Sequence, residues 1–369
     1  MQKFLYVSPS IIPSKSANSV HVLHQVSALA EVIEEVDLVF ATTEDHFSVS
    51  CIQEFYGVSL PQNVKVQNLR IVFGRAIQLQ ICLWSIYLFL RHSYSYILSR
   101  NLYFSTVLSI FSVQHVYEAH GIEVGWRRIA EQLVFKTQTK LICISQALRE
   151  IIRANYGVSE KQEIQVLHDC CKINFNYTKP LVLTNDVFRV GYFGHLYPGR
   201  GVDIVLALAD LFPQHLFYLA GGNDADIKAY KAGTNLKNVN FLGHLKNTEA
   251  RSLMADMDAL LMPYQNKVSI GTLGSDTSKW MSPLKMFEDM SSHTPFISSD
   301  LAVLREVLTN NRNCIMVPCD DIDAWSSALN KLQTSSALRE RLANQAYCDV
   351  STNYTWDIRA RRILEFCEK

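Results

Sequence analysis

A serine, a proline, a lysine and a glutamate stand close together in the stretch Trp280–Met290, which reads WMSPLKMFEDM. The pattern predicts a helix with Ser282 as N-cap and Pro283 as first residue, because serine caps well and proline needs no donor there. Lys285 then lies in the first turn, where the helix dipole disfavours a cation unless an anion is bound. Lys285 and Glu288 therefore have two interpretations, a phosphate-binding cleft and a solvent-exposed ion pair.

A glycine-rich turn supplies a second cation. It spans Gly191–Gly201, reads GYFGHLYPGRG, and stands between an apolar segment and a helical one. Gly199 allows close backbone approach, and Arg200 can bind phosphate through two parallel hydrogen bonds. The glycine spacing differs from the GxGxxG fingerprint of dinucleotide-binding folds. An anion-binding loop and a glycine-rich turn with a surface arginine both remain open.

Polar residues in the first half of the chain also follow predicted strands. His120 ends a strand and precedes Gly121, so it could contact a substrate or have a purely structural role. Ser16, Asn18 and Ser19 open the first predicted helix. Their small polar side chains could lie near a ligand, although Ser19 could equally be only the N-cap.

The segments that position these residues alternate between strand and helix, which predicts an α/β fold with mostly parallel sheets. Strands are predicted at Lys3–Val7, Val36–Ala41, Val64–Leu69, Tyr96–Leu98, His115–Glu118, Leu141–Ile144, Phe188–Phe193, His215–Ala220, Asn240–Leu242, Ala259–Met262, Pro295–Ser298 and Cys314–Val317. A polar break at Asn174–Asn185 predicts the linker between two doubly wound halves. Ligands of such sheets bind at the carboxyl ends of the strands, so two facing halves predict one interdomain cleft.

The predicted domains are an N-terminal Rossmann-like domain, residues 1–178, and a C-terminal one, residues 179–352. Residues 353–369 form a final helix that could pack back on the first domain. A chain of 369 residues with 48% apolar residues is large enough for two such cores.

Composition excludes several classes of protein. The 35 basic residues balance the 35 acidic ones, which argues against nucleic acid as the main partner. The nine cysteines form no CxxC pair and no metal-ligand spacing, so we expect a reduced cytosolic chain without a metal site. The N-terminus lacks the pattern of a signal peptide. The apolar run Ala76–Leu90 is short for a membrane span, and it predicts either a buried helix or an interfacial helix.

Eight segments, in this order, resemble glycosyltransferase family 4: KSANSVHV, YEAHG, LICISQALREII, VGYFGHLYPGRGVD, YLAGG, NVNFLGHL, LLMPY and SPLKMFEDMSSHTPFISSDLAVLREVL. The resemblance covers nearly the whole chain and is strongest from Arg189 to Leu308. It implies a GT-B fold, and a C-terminal half that binds a nucleotide-diphosphate sugar donor. It also implies an N-terminal half that binds the acceptor, retention of anomeric configuration and no metal or other cofactor.

The resemblance also assigns roles to individual positions. Glu288 matches a glutamate that holds the nucleotide ribose, and Ser282, Pro283 and Leu284 match the backbone that meets the diphosphate. Arg200 replaces a phosphate-binding lysine, and His120 matches a histidine near the transferred sugar. The other donor-side candidates are Gly194, His195, Gly199 and Gly221.

The sequence departs from the family pattern at three positions. The first glutamate of the family's glutamate pair falls at Trp280, His195 stands where arginine is common, and Cys170 stands where glycine is common. The carboxylate expected near the donor sugar is therefore unassigned, with Asp276 as the nearest acidic residue in sequence.

Together these features predict a retaining glycosyltransferase, with hexosyl transfer favoured, that acts in glycan, polysaccharide or glycolipid synthesis. The predicted catalytic residues are His120, Arg200 and Lys285, and Ser16, Asn18 and Ser19 form the acceptor-side loop. The predicted partners are a nucleotide-sugar donor, a carbohydrate or lipid-linked acceptor and the inner face of a membrane. Two alternatives remain, a non-catalytic nucleotide-sugar-binding subunit and a sugar-nucleotide epimerase of the same architecture.

Overall fold

A computed structural model describes residues 2–14, 16–44, 47–72, 74–137, 140–160, 162–173, 187–269, 271 and 276–369. The chain divides into two compact units. The first contains Met1–Asp169 and Trp356–Lys369, and the second contains Cys170–Thr355. The whole of the predicted linker, Asn174–Asn185, lies outside the described residues.

The strands all pair in parallel within two sheets. They are β1 (Lys3–Ile11), β2 (Glu35–Thr42), β3 (Val64–Arg70), β4 (Tyr96–Ser99), β5 (Val116–Ala119), β6 (Lys140–Cys143), β7 (Ile164–Val166), β8 (Arg189–Phe193), β9 (Leu216–Ala220), β10 (Val239–Gly243), β11 (Ala259–Met262), β12 (Phe296–Ser299) and β13 (Ile315–Val317). Every predicted strand is therefore confirmed with small shifts of its ends, and β7 is an additional strand.

The helices connect these strands and cover both faces of each sheet, as parallel sheets require. They are α1 (Ala17–Leu29), α2 (Val49–Tyr56), α3 (Ile77–Arg91), α4 (Leu102–Ile110), α5 (Arg127–Lys136), α6 (Gln146–Tyr156), α7 (Val202–Leu211), α8 (Asp224–Ala232), α9 (Asn247–Ala255), α10 (Leu284–Met290), α11 (Ile322–Thr334), α12 (Ser336–Asn353) and α13 (Trp356–Glu368).

The sheet of the first unit has the order β3-β2-β1-β4-β5-β6-β7. The strand order reverses between β1 and β4, which is the point where doubly wound sheets bind ligands at their carboxyl edge. All eight residues of β2 are buried, as expected for a central strand covered on both faces. The C-terminal helix α13 packs against α1 within this unit.

The sheet of the second unit has the order β10-β9-β8-β11-β12-β13, with its reversal between β8 and β11. Its core includes Val205 of α7, Phe217 of β9, Leu261 of β11 and Trp325 of α11, all with less than 2% of their surface exposed. Helices α7 and α11 pack against each other. The second unit is thus a second Rossmann-like fold with its own core.

Helix α3 corresponds to the predicted apolar run. Its residues Ile81, Cys82 and Leu88 are buried in the core of the first unit. The opposite face leaves Leu83 54% exposed and Leu90 76% exposed. The helix therefore covers the sheet and also presents apolar side chains to its surroundings. Among the described residues, no helix is both long and apolar enough to cross a membrane.

Candidate active site

The helix that carries Lys285 begins one residue later than the sequence predicts. Pro283 is the N-cap of α10, with an extended backbone at φ −76° and ψ 126°, and Leu284 is the first helical residue. The proline ring fixes φ but leaves ψ free to stay extended, so Pro283 can precede the helix instead of starting it. The predicted N-cap, Ser282, is the residue before Pro283, and it is buried.

Lys285 pairs with Asp289 one helical turn later, so the alternative interpretation, a solvent-exposed pair with Glu288, is wrong. The Lys285 Nζ atom lies 2.9 Å and 3.1 Å from the two carboxylate oxygens of Asp289. The lysine is only 9% exposed and Asp289 is fully buried. Burial raises the pKa of Asp289 to about 7, although the charge of Lys285 acts in the opposite direction.

Lys285 lies against the first glycine after β8. A Cβ atom added to Gly194 would be 3.6 Å from Lys285 Cδ and 3.4 Å from the Tyr192 hydroxyl. Lys285 Nζ is 5.3 Å from the centre of the Tyr192 ring, and the Tyr192 hydroxyl donates to the His195 carbonyl at 2.6 Å. At Gly221, after β9, an added Cβ would come within 2.2 Å of the Gly194 carbonyl oxygen. Glycine at this position therefore allows the two strand ends to meet.

Arg200 lies in the same glycine-rich turn. Its Nη1 donates to the Tyr264 hydroxyl at 3.1 Å, its Nε donates to the Ser269 carbonyl at 3.2 Å, and its guanidinium is 5.1 Å from the Tyr264 ring centre. At Gly199 an added Cβ would lie 1.8 Å from the Lys267 carbonyl oxygen, so the turn requires glycine. Burial raises the pKa of both Tyr192 and Tyr264, and the charge of Arg200 lowers both. Arg200 and Lys285 thus lie around one pair of buried tyrosines.

Glu288 is half-buried on α10. Its negative charge acts on the buried guanidinium of Arg251, which donates to the Ser291 hydroxyl at 2.7 Å and to the Lys172 carbonyl at 3.3 Å. The structure therefore brings Glu288 to the same short helix as Lys285, on a side that faces Arg251.

Trp280, which stands where the family has the first glutamate of its pair, lies in a turn. Trp280 is half-buried, and its amide donates to the Thr277 carbonyl at 3.1 Å. The nearby Asp276 closes a loop, because its Oδ1 accepts from the amides of Val268 at 3.1 Å and Ser278 at 3.0 Å. Asp276 is thus already engaged by the backbone.

In the first unit, His120 belongs to a buried network at the end of β5. His120 Nε2 is 2.8 Å from Glu118 Oε1, and Arg359 Nη2 donates to the same oxygen at 2.8 Å. His21 lies between two carboxylates, with Nε2 3.1 Å from Glu118 Oε1 and Nδ1 2.7 Å from Asp169 Oδ1. Arg359 comes from α13, so the C-terminal helix completes the surroundings of His120.

The charges of this network are set by burial and by neighbouring cations. Burial lowers the pKa of His120 to about 4, and the charge of Arg100 acts in the same direction, so the imidazole is neutral at pH 7. Burial alone would raise the pKa of Glu118, but the charge of Arg359 and the adjacent imidazoles of His21 and His120 hold it well below its usual range. The side chain of His120 remains 25% exposed, so this neutral ring can contact a ligand.

The predicted acceptor-side loop forms the start of α1. Ser16 is the N-cap, since its side chain accepts from the Asn18 amide at 3.2 Å, and the suggestion that Ser19 caps the helix is wrong. Ser19 is buried and donates to the Ile11 carbonyl at 3.1 Å, which ties the helix to β1. The Asn18 side-chain oxygen accepts from Arg100, a residue that the sequence did not single out.

Two groups have the composition of metal sites. His21, Glu118 and His120 place their potential ligand atoms within 4.8 Å of one another, but Arg359 already supplies positive charge to the shared Glu118 oxygen. Asp224 and Asp226 are two acidic residues in the first turn of α8, where they complement the helix dipole.

Comparison with known proteins finds similarity to glycosyltransferases. Residues 187–335 match the protein family described as "Glycosyl transferases group 1". The phosphatidyl-myo-inositol mannosyltransferase of Mycobacterium leprae is 25% identical over 175 residues, which are 46% of this chain and 43% of that protein. The match thus spans less than half of the length of that relative.

Comparison of the fold with solved structures shows similarity along the whole chain. Sucrose-phosphate synthase from Thermosynechococcus elongatus superposes with a TM-score of 0.78 at 15% identity, over 100% of this chain and 98% of that chain. Anabaena HepE, in a crystal structure with UDP and glucose, superposes with a TM-score of 0.75 at 18% identity, over 100% of both chains. Two Rossmann-like units with these neighbours define the GT-B fold. The chain is similar in sequence and in fold to glycosyltransferases.

Proposed function

We propose that this chain is a retaining glycosyltransferase that moves a sugar, most simply a hexose, from a nucleoside diphosphate to an acceptor hydroxyl. One observation carries the proposal. Lys285 is buried beside Gly194, just beyond β8, at the strand-order reversal of the second sheet. This is where parallel α/β sheets bind their ligands, and a buried lysine there suits a phosphate. Retention of configuration is proposed from the motif order alone.

The second unit supplies the donor-binding groups in this proposal. Lys285 and Arg200 neutralise the diphosphate, whose negative charge grows as the bond to the sugar breaks. The backbone around Ser282, Pro283 and Leu284 meets the phosphates, and Glu288 accepts hydrogen bonds from the ribose hydroxyls. In the absence of donor, Asp289 neutralises Lys285, so binding exchanges a carboxylate partner for a phosphate partner.

The first unit supplies the acceptor-binding groups. His120 is neutral at pH 7 and one of its nitrogens is held by Glu118, so the other can hydrogen-bond a sugar hydroxyl. The departing phosphate can take the proton of the acceptor hydroxyl, and no metal or other cofactor is invoked. The mannosyltransferase relative is named for phosphatidyl-myo-inositol, which favours a lipid-linked acceptor in glycolipid synthesis.

A lipid-linked acceptor would require contact with a membrane surface. The exposed face of α3 presents apolar and aromatic side chains, including Leu83, Trp84 and Leu90. Arg91 lies at the end of this helix, 5.7 Å from the Tyr87 ring centre. Apolar side chains flanked by a cation are typical of helices that lie at the interface of anionic membranes. We therefore place the enzyme at the inner face of a membrane, in the cytoplasm.

A non-catalytic nucleotide-sugar-binding subunit is the second candidate. It is favoured by one observation, since Trp280 stands where the family has a carboxylate and Asp276 is engaged by backbone amides. Such a protein would bind a nucleotide sugar but neither transfer nor hydrolyse the sugar.

Donor titration separates these candidates. UDP-, GDP- and ADP-sugars are screened by thermal shift, and transfer or slow hydrolysis of the bound sugar is then measured. Lys285→Ala and Arg200→Ala should each weaken nucleoside diphosphate binding by roughly 10- to 150-fold, the scale of a hydrogen bond to a charged group. Binding of the uncharged nucleoside should change little.

The matched control is Lys279→Ala, because Lys279 is an exposed lysine six positions before Lys285. It should leave nucleoside diphosphate affinity unchanged. Equal weakening of nucleoside and nucleoside diphosphate would make Arg200 and Lys285 structural. Donor binding without any turnover would favour the non-catalytic subunit.

A further inference from the structure

Arg100 is a buried arginine with an incomplete set of partners. It follows β4 and is only 8% exposed. Its Nη2 donates to the side-chain oxygen of Asn18, and its guanidinium also interacts with the Tyr6 hydroxyl. Nε and Nη1 are buried without a hydrogen-bond partner among the described residues. Arg100 also forms no ion pair with any described carboxylate. A buried charge without a counter-ion is strongly unfavourable unless a ligand supplies one.

Arg359, in the same unit, shows what a purely structural buried arginine looks like. Its Nε donates to the His168 carbonyl at 3.0 Å and its Nη1 to Gln25 Oε1 at 2.5 Å. Its Nη2 donates to Glu118 Oε1 at 2.8 Å, which also neutralises the charge. Every nitrogen of Arg359 has a partner, and Arg100 differs in both hydrogen bonding and charge.

The position of Arg100 is that of a ligand-binding residue. It extends β4 at the strand-order reversal between β1 and β4. The first turn of α1, which holds Asn18, has no acidic residue and offers the positive end of the helix dipole. His120, after the neighbouring β5, carries no charge at pH 7 that would compete for an anion.

We infer that Arg100, together with the start of α1, binds an oxyanion on the acceptor, a phosphate ester or a carboxylate. The oxyanion supplies the missing counter-ion and accepts from Nε or Nη1. It also brings the acceptor beside His120. This inference rests on the proposed function only in assigning the oxyanion to the acceptor, since the anion site itself does not require transfer.

His120 provides a local reporter of this site. The charge of Arg100 helps to keep the pKa of His120 low, so an anion bound at Arg100 must raise it. The other charged groups facing the imidazole are Glu118, His21 and Asp169, and all of them lie in the same network. Their contributions are unchanged when Arg100 alone is altered.

The experiment is a ¹³C NMR titration of histidine-labelled full-length protein, with His120 assigned through His120→Gln. Saturating UDP occupies the diphosphate site of the second unit throughout. Inorganic phosphate, glycerol 3-phosphate, acetate and phosphatidylinositol vesicles are the probes. In the wild-type protein, we expect at least one probe to move the His120 midpoint upward by roughly half a pH unit or more.

Arg100→Met should raise the His120 midpoint without any probe and abolish the response to all of them. Arg100→Lys keeps the charge and should weaken probe binding at least tenfold. Arg100→Lys is also the variant that tests the inference if Arg100→Met fails to fold. Arg362→Met removes an exposed arginine of the same unit, on α13, and should respond like the wild-type protein.

The outcomes separate the possible sources of the anion. A response to glycerol 3-phosphate supports a soluble phosphate ester, a response confined to vesicles supports a lipid head group, and a response to acetate supports a carboxylate. No response to any probe, or an equal response in Arg100→Met, would overturn the inference. Failure of the proposed donor site would appear separately, as loss of UDP binding with the His120 response intact.

Discussion

Removal of Arg359 should destabilise the first unit more than any surface arginine, because it leaves Glu118 buried without its strongest partner. Both residues are nearly inaccessible, with 2% of each exposed. Methionine in place of Arg359 keeps much of the apolar stem and removes the guanidinium. The buried carboxylate of Glu118 then depends on His21, His120 and the Tyr6 hydroxyl, which donates to Oε2 at 3.5 Å.

The size of the effect follows from the protonation of Glu118. Breaking a buried ion pair by removing one partner costs about 3–5 kcal/mol. Glu118 can limit this cost by binding a proton, which for a carboxyl group of ordinary pKa 4.5 costs about 3.4 kcal/mol at pH 7. At pH 5 the same protonation costs only about 0.7 kcal/mol. We therefore expect Arg359→Met to lose about 3 kcal/mol at pH 7 and about 1 kcal/mol at pH 5.

The sign of the pH dependence is a separate test. In the wild-type protein the folded-state pKa of Glu118 is depressed, so its stabilisation is present above the unfolded pKa and is lost as pH falls through the folded pKa. Arg359→Met removes most of that depression, so the two proteins should converge in stability towards acid pH.

Urea denaturation at pH 7 and pH 5, followed by tryptophan fluorescence, measures both quantities. Arg361→Met, an exposed arginine on the same helix, is the matched control and should stay within about 0.5 kcal/mol of the wild-type protein. Glu118→Gln combined with Arg359→Met should recover part of the loss, because it removes the unpaired charge. Equal losses for Arg359→Met and Arg361→Met, or a loss independent of pH, would refute the reasoning.

Two further predictions concern the proposed acceptor side. Replacing Leu83 and Leu90 together by serine should abolish binding to anionic vesicles in a flotation assay, whereas Leu211→Ser, an exposed leucine of the second unit, should not; a wild-type protein that ignores all vesicles would leave α3 as a packing helix only. His120→Ala should lower turnover by 100-fold or more, the usual scale for a residue that assists at the reacting group, and leave nucleoside diphosphate affinity unchanged, because the groups proposed to bind the nucleotide are in the second unit. Equal losses of turnover and affinity would contradict that role.

The fold was predictable because its signals are local. Apolar runs bounded by glycine, proline and polar residues mark the strands, and their alternation with helices indicates parallel sheets. The strand β7 was missed because Ile164–Val166 is only three residues long, too short to show a pattern. The start of α10 was misplaced because proline is compatible with both the N-cap and the first helical position, and sequence does not fix its ψ angle.

The sequence singles out candidate site residues only where a cation stands near glycine or proline. Arg200 and Lys285 have that signal, and the structure holds both around Tyr192 and Tyr264. Arg100 has no such neighbours in sequence. Its proposed role in binding an oxyanion rests on the absence of described hydrogen-bond partners for Nε and Nη1. That absence is a property of the packed sheet edge. A strand-end arginine next to the strand-order reversal could have been noticed only once the strand order was known.

Asp289 shows most clearly what sequence reasoning lacked. From the sequence, Lys285 is a cation at the positive end of a helix dipole with no neutralising group in the protein. In the structure, the carboxylate of Asp289 one turn later lies 2.9 Å from Lys285 Nζ and neutralises it. The proposal that Lys285 binds a phosphate therefore rests on a different argument. An ion pair that existed only for stability would gain little from burial, because desolvation offsets most of the attraction. Burial also raises the pKa of Asp289 to about 7, so this carboxylate binds a proton more readily than an exposed aspartate does. A buried lysine whose partner is so easily neutralised is suited to release that partner when a phosphate with stronger charge arrives.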